Sequence, residues 1–207
     1  MEKLLMGTEG RYPLVEQFYS VQGEGYWVGQ PAYFIRLGGC PVECTWCDTR
    51  HSWPREGWPL YDIPTLVAEA QARKAKHVVL TGGEPTIHPL GPLIKALKEA
   101  GFFVQMETAG IGPVPDPQPD WITFSPKRFM PPQQVYYELC HELKVVIHAP
   151  SDLRWAEKQR EKITRPVPAF LQPDAYQPAA LQWILSYLQT HPEWRLSLQI
   201  HRYLALP

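Results

Sequence analysis

Ala32-Tyr33-Phe34-Ile35-Arg36-Leu37-Gly38-Gly39-Cys40-Pro41-Val42-Glu43-Cys44-Thr45-Trp46-Cys47-Asp48-Thr49 is the stretch on which the reading of this chain turns. Its first six residues are apolar apart from Arg36 and predict a buried strand, which Gly38-Gly39 ends. Three of the four cysteines follow within eight residues, spaced C-x3-C-x2-C. They stand on a tight loop at the C-terminal end of a strand. Three thiolates this close can surround one metal centre. A cuboidal iron–sulfur cluster ordinarily takes four protein ligands, so three leave one iron open to a small molecule. The same cysteines with His51 also suit a closed zinc site, and a disulfide with one spare thiol is a third arrangement. The loop alone leaves all three open.

Composition narrows the setting. A chain of 207 residues is long enough for one domain with a proper core, and its formal charge of −1 gives no basic surface for nucleic acid or membrane. Met1 to Gly10 lacks the apolar segment of a secretory signal, and no apolar run approaches the roughly 20 residues of a membrane span. Clustered cysteines without a secretory signal point to a cytoplasmic protein with a metal or redox role. The 23 prolines are in excess and sit mostly in connections, which reads as short rigid loops.

Outward from the cysteine loop, strands and helices alternate. Leu14 to Tyr19 reads as an N-terminal strand, followed by the glycine-bearing turn Ser20-Val21-Gln22-Gly23-Glu24-Gly25. Beyond a Trp- and Pro-rich linker, Asp62 is an N-cap for a helix that runs to about Lys76. His77 to Thr81 is a short apolar run and hence a strand, capped by Gly82-Gly83-Glu84-Pro85; Pro89 to Gly101 is a helix. Phe102 to Thr108 is a strand. Ile111 to Asp120 carries four prolines and cannot be helical. Trp121 to Phe124, Glu142 to Ile147, Val167 to Leu171 and Arg195 to Ile200 read as further strands. Asp152 to Ile163 and Gln177 to Thr190 read as helices. The pattern predicts a single α/β domain over residues 1–207, with a mainly parallel sheet rolled into an incomplete, distorted (β/α) barrel. Each polar or glycine-rich motif follows a strand's C-terminal end, where such sheets place their chemistry.

Gly82-Gly83-Glu84-Pro85 is ordinary turn chemistry by itself. One βα unit after a C-x3-C-x2-C loop, it resembles the turn with which radical S-adenosylmethionine (SAM) enzymes present backbone acceptors to the amino group of SAM. The likeness sharpens through Phe18 to Gly25, the Arg36 strand, Cys47-Asp48-Thr49, Glu107-Thr108-Ala109-Gly110, Ser125-Pro126-Lys127 and the ending from Leu198 to Pro207. Together these resemble the family of 7-carboxy-7-deazaguanine synthases from about residue 14 to the last residue. Ile200 and Arg202 stand where Thr and Lys are expected in that family, and Ala109 where Asn or Ser is common.

What the resemblance implies is specific. Cys40, Cys44 and Cys47 hold a [4Fe-4S] cluster whose open iron is chelated by SAM, and reductive cleavage yields a 5′-deoxyadenosyl radical. That radical takes hydrogen from C6 of 6-carboxy-5,6,7,8-tetrahydropterin, which contracts to 7-carboxy-7-deazaguanine with loss of ammonia, on the route to queuosine. Trp46, Cys47, Asp48, Gly83, Glu84, Glu107, Ser125, Pro126, Lys127, Gln172, Pro173 and Asp174 are implied on the SAM side. Val21, Gln22, Gly23, Glu24, Arg36, Thr81 and the terminal carboxylate at Pro207 are implied on the substrate side, with Thr49 on Mg2+. Gln22 and Glu24 can read the donor–acceptor edge of a pterin, and the fork of Arg36 suits a carboxylate. A buried structural ion pair is the other role for Arg36, and a turn cap the other role for Thr49. Cys140 reads as a small buried hydrophobe. A homodimer and a flavodoxin as electron donor are further expectations. Two other functions share parts of the pattern: an activase of glycyl-radical enzymes, which shares the cysteine loop, and a non-catalytic zinc module.

Overall fold

The computed structural model describes residues 10–207, so the leading residues scanned for a secretory signal lie outside it. Its centre is a nine-stranded sheet, of which β1 (Arg11–Val21), β2 (Pro31–Leu37) and β3 (Leu60–Asp62) form one flank. β1 pairs antiparallel with both β2 and β3. From β2 the order continues through β4 (His77–Gly82), β5 (Phe103–Thr108), β6 (Trp121–Phe124), β7 (Glu142–Ile147), β8 (Ala169–Pro173) and β9 (Trp194–Leu196), every pair parallel. β3 and β9 are the two edges of the sheet, so the barrel is incomplete, as the alternation of elements predicted.

The crossovers carry α1 (Ile63–Ala72), α2 (Gly91–Glu99), α3 (Val135–Leu139), α4 (Ser151–Arg160) and α5 (Ala180–Leu188). Asp62 caps α1 as expected, its Oδ1 accepting from the Thr65 amide at 2.9 Å. The helix ends earlier than the sequence suggested because Lys74 adopts φ +54°, a left-handed exit into β4. No helix links β5 to β6, where the prolines lie. α3 and β3, each a handful of residues, carry too short a pattern to stand out from their linkers.

Two strand boundaries differ from the sequence reading, for separate reasons. Pro166 and Pro168 have no N–H to give a ladder, so pairing with β7 starts at Ala169 and runs on to Pro173. β9 stops at Leu196, and Ile200 to Tyr203, partly read as strand, is instead the short helix α6 (Ile200–Tyr203). At the sheet edge no further strand guides the tail, and the Ile200 amide donates to the Gly23 carbonyl at 3.1 Å.

The main core fills the space between the sheet and its helices, with Cys140 fully buried in it as a small hydrophobe. A second apolar cluster of Cys40, Val42, Cys44, Ile87, Ala109 and Ile111 sits over the C-terminal ends of β2, β4 and β5. The two regions are joined by a close approach of β4 to β2. Gly82 has φ +143°, and a Cβ there would lie 2.1 Å from the Leu37 carbonyl oxygen. Gly82→Ala is therefore expected to cost about 2–4 kcal/mol through backbone strain and overpacking. Calorimetry should record a melting temperature lower by roughly 5–15 °C; an unchanged value would show that the two strands have room to part.

Candidate active site

One cavity of about 490 Å³ opens among the loops at the C-terminal ends of the parallel strands. It brings together all the residues assigned to the cluster, SAM, the substrate or Mg2+ except Pro126, which lies outside the lining between Ser125 and Lys127.

The cysteine loop forms one wall. Cys40 and Cys44 are buried, Cys47 is half-buried, and the Cys47 amide donates to the Cys44 carbonyl at 3.0 Å. Burial raises the Cys40 thiol and pushes Cys44 up to about 11, partly offset at Cys44 by the nearby Lys127 charge. Cys40 and Cys44 thus favour the thiol form until a metal centre displaces the proton. A tetrahedral zinc site would draw its ligand atoms within about 4 Å of one another, given zinc–sulfur bonds near 2.3 Å. Among the described residues, one trio of His, Cys, Asp or Glu ligand atoms meets a 4.8 Å limit: Glu24, Asp48 and His201. The three sulfurs do not, with or without His51, which instead lies 3.7 Å from Glu16. Wider sulfurs over an apolar bed fit a cuboidal cluster, whose ligands sit on separate irons.

Next to this loop stands the glycine turn. The Gly83 amide donates to Leu37 and the Glu84 amide to Gly39, each at 2.9 Å, so the turn has carbonyl oxygens rather than N–H groups left for a ligand. Gly83 must be glycine, since a Cβ would sit 2.1 Å from the Gly39 oxygen and 2.9 Å from Cys40 Cβ. The Glu84 carboxylate is wholly committed inside the protein. Oε1 accepts from the Thr86 amide (3.1 Å), the Thr86 hydroxyl (2.6 Å) and the Thr108 hydroxyl (2.5 Å), and Oε2 from the Ala109 amide (2.7 Å). The side chain is thus a clamp between β4 and β5, and the backbone, which the resemblance assigns to SAM, is what the residue has left to offer.

Ser125 and Lys127 behave as one unit, the Lys127 ammonium donating to the Ser125 carbonyl (2.5 Å) and hydroxyl (2.7 Å). Burial depresses the Lys127 pKa against the pull of Cys44. Gln172 accepts from the Ser197 hydroxyl at 2.9 Å. Asp174 is tied to His148 Nδ1 at 2.6 Å and to the Tyr176 amide at 2.8 Å. Trp46 stacks on His148 with ring centres 5.6 Å apart and meets Phe129 edge-on at 5.7 Å.

The turn from Gln22 to Gly25 departs from the sequence reading in its direction of approach. β1 runs antiparallel to β2, with Val21 opposite Pro31, so this turn leaves from the N-terminal rim of the parallel strands. Behind it, Trp27 packs edge-on against His77, Phe103 and Trp121, and Tyr26 stacks on Trp121, closing that rim with aromatic rings. Gln22 and Glu24 reach the cavity through the sheet interior. Gln22 Nε2 donates to Glu107 Oε1 (3.2 Å), and Gln22 Oε1 accepts from the Glu24 amide (3.1 Å). Arg36 uses its Nε on Glu16 at 2.6 Å and lies over the Phe18 ring. The ion pair exists but is not the buried one weighed for Arg36, since the Glu16 side chain is 43% exposed, and Arg36 lines the cavity as well. Thr49 stands at the start of a 3-10 turn without capping it through its side chain, and its hydroxyl lies 3.5 Å from Cys47 Sγ.

Several lining residues were given no role by the sequence. Lys144, on β7, reaches Glu24 at 2.5 Å and Glu107 at 2.8 Å. Gln199 Nε2 donates to Glu24 (2.8 Å) and to Asp48 (2.7 Å), and His201 approaches Asp48 at 3.9 Å. Burial raises Asp48, yet the hydrogen bonds from His201 and Gln199 outweigh it and hold the carboxyl below its usual range. Glu142 and Lys144, two apart in an apolar strand, carried a signal: both must face one side of the sheet, and here that side is the polar interior.

The comparisons agree with this geometry. A model of the radical SAM superfamily matches residues 34–122. The 7-carboxy-7-deazaguanine synthase of Synechocystis is 46% identical over 195 residues, spanning 94% of this chain and 93% of that one. The chain belongs to the 7-carboxy-7-deazaguanine synthase family. The Escherichia coli member is 35% identical over 95% of this chain and 99% of its own. The crystal structure of QueE from Escherichia coli superposes with a TM-score of 0.81 at 33% identity, covering 91% of this chain and 93% of that one. As in the radical SAM superfamily at large, membership implies a [4Fe-4S] cluster and SAM, which removes the zinc module as a reading.

Glu142 is a buried acid whose hydrogen-bond donors are all neutral. Its Oε2 accepts from the Tyr26 amide (3.0 Å) and Trp121 Nε1 (3.2 Å), and burial, with repulsion from Glu107, pushes its pKa up to about 7. An unfolded chain would ionise this group near its ordinary 4.5. The folded state therefore holds more protons between the two values, and stability falls as pH rises from about 4.5 to about 7. Glu142→Gln should remove that loss and stabilise the protein at pH 8 by on the order of 2–3 kcal/mol. Thermal melts of both proteins across this range check it; parallel pH profiles would mean that Glu142 stays ionised in the fold.

Proposed function

We propose that this chain contracts 6-carboxy-5,6,7,8-tetrahydropterin to 7-carboxy-7-deazaguanine with release of ammonia. The observation that carries this reading is the convergence of Gln22 and Glu24 on the cavity that also holds the cysteine loop and the Gly82-Gly83 turn. An activase must admit a loop of a partner protein, whereas here the floor opposite the cysteines is a polar edge suited to a small heterocycle. The fit supports a pterin rather than a protein substrate.

When bound at Cys40, Cys44 and Cys47, the cluster with SAM supplies the radical that takes hydrogen from the substrate. The chain's own residues position and shield. Carbonyls of the Gly83-Glu84 turn accept the amino group of SAM. Ser125 and Lys127 meet its carboxylate and ribose, with Glu107, Gln172 and the Pro173-Asp174 segment nearby. Trp46, held between His148 and Phe129, covers the cysteine loop and keeps water away. Gln22 and Glu24 receive the N–H groups of the pterin, while Arg36, Thr81 and Pro207 approach its remaining edge. Thr49 offers one oxygen to Mg2+, and the adjacent Asp48 adds negative charge; substrate oxygens and water complete a hard-oxygen shell. The one-electron donor is a flavodoxin-type protein, the setting is cytosolic, and the assembly is a homodimer. No helix among the described residues is long and apolar enough to cross a membrane.

The test is anaerobic turnover by iron-reconstituted protein with SAM, dithionite, Mg2+ and the pterin, followed by mass spectrometry. The deazaguanine product is expected; 5′-deoxyadenosine without it would leave the radical chemistry standing and remove the substrate. Glu24→Gln should raise the KM for the pterin roughly 10- to 100-fold with a smaller change in kcat, because a charge-assisted acceptor is lost. Thr49→Ala should blunt the response of the rate to added Mg2+, and an identical titration in both proteins would remove Thr49 as its ligand.

A further inference from the structure

We propose that Lys144 is a positioning residue, a buried ammonium that orients the pterin-reading edge and the SAM-side carboxylate at the same time. The inference rests on the assignment of Glu24 to the pterin and Glu107 to SAM, and it extends that assignment to the lysine that joins the two.

The geometry leaves Lys144 little freedom. Its side chain is 6% exposed, and Nζ donates to Glu24 Oε2 at 2.5 Å and to Glu107 Oε2 at 2.8 Å. The other oxygen of each carboxylate is also engaged. Glu24 Oε1 accepts from Gln199 at 2.8 Å, while Glu107 Oε1 accepts from Gln105 at 2.9 Å and Gln22 at 3.2 Å. All of those partners are neutral amides. Lys127, the other buried lysine lining the cavity, is turned toward Ser125 and cannot take over.

A chain of orientation follows. An amide can present its oxygen or its nitrogen, and Gln22 is fixed because Glu107 demands a donor and the Glu24 amide demands an acceptor. Glu107 makes that demand only while it is ionised and held in place. Without the ammonium, two buried carboxylates would share one cavity with neutral donors alone, and like charges so placed resist joint ionisation. One of them would take up a proton. A protonated Glu24 loses an acceptor for the pterin, and a protonated Glu107 lets Gln22 reverse its amide. Either event scrambles the pattern of donors and acceptors that reads the substrate, although neither Gln22 nor Glu24 has itself been substituted.

The experiment uses the reconstituted holoenzyme, with iron content and circular dichroism as controls of cluster loading and fold. Lys144→Met should raise the KM for the pterin roughly 10- to 100-fold, well beyond its effect on kcat. It should also weaken SAM binding measured by calorimetry. Lys144→Arg should restore KM to within several-fold of the parent, since a guanidinium can donate to two carboxylates. Because Lys144 acts through Glu24, Lys144→Met added to Glu24→Gln should raise KM much less than the product of the two single effects. Independent, multiplying effects would overturn the proposal, as would a loss of kcat with KM unchanged. Should Lys144→Met fail to load its cluster, Lys144→Gln takes its place in the same comparison, with the same outcomes deciding. If Glu24→Gln alone leaves the pterin KM unaltered, the substrate assignment itself fails, a result separable from failure at Lys144.

Discussion

Everything near the cysteines depends on where the carboxylate of Glu84 goes. It lies at the end of β4, buried, and accepts four hydrogen bonds from Thr86, Thr108 and Ala109. Those bonds fasten the ends of β4 and β5 together just where the glycine turn passes beneath Gly39 and Cys40. With Gly82 and Gly83 allowing the backbones to touch, the clamp fixes the turn and the cysteine loop relative to each other. A ligand held by both would meet a preset distance rather than one adjusted on binding, and preset geometry is how a protein contributes when a cofactor does the chemistry.

The same residue marks the boundary of what a sequence can reveal. Cysteine spacing, a Gly-Gly-Glu-Pro turn and apolar runs are local patterns, and each reported its own place correctly at a strand's end. The turn's backbone was legible as a ligand contact, but nothing local revealed that the Glu84 carboxylate reaches past Thr86 to partners 24 and 25 residues further on. Lys144 was passed over for the same reason, lying 120 residues from Glu24 and 37 from Glu107. The rim from which Gln22 and Glu24 enter depends on β1 running antiparallel, a fact of pairing rather than of any pattern within β1. Strand ends slipped where prolines withheld a donor, as before Ala169, or where the sheet had no further neighbour, as after Leu196.

That missing neighbour has a consequence for the site. A closed barrel would join its first and last strands by a ladder, whereas here β3 and β9 are both edges. The turn after β1 bridges to the segment after β9 instead. The Gly25 amide donates to the Ser197 hydroxyl at 3.0 Å, the Ile200 amide to Gly23 at 3.1 Å, and Gln199 reaches Glu24. Gly23 makes this possible, since a Cβ there would sit 2.2 Å from His201 Nδ1. The contacts that stand in for a ladder are thus made by residues that line the cavity, so ordering the tail and shaping that wall of the cavity are one structural event.

A small barrel with an open seam has few ways to keep water from a radical while retaining the charges needed to read a polar ring. Trp27 packed on His77, Phe103 and Trp121 narrows the N-terminal rim, and burial makes every interior charge costly unless it is matched. Lys144 matches two carboxylates and Lys127 faces the cysteines, but Glu142 is left beside Glu107 with only neutral donors and responds by holding its proton to about pH 7. The interior carboxylates are thus held either by a lysine, as Glu24 and Glu107 are, or by several neutral donors, as Glu84 is. In that sense the cost of dryness selects which side chains can be polar, and the polar ones that remain are those that touch the reactants or hold the residues that do.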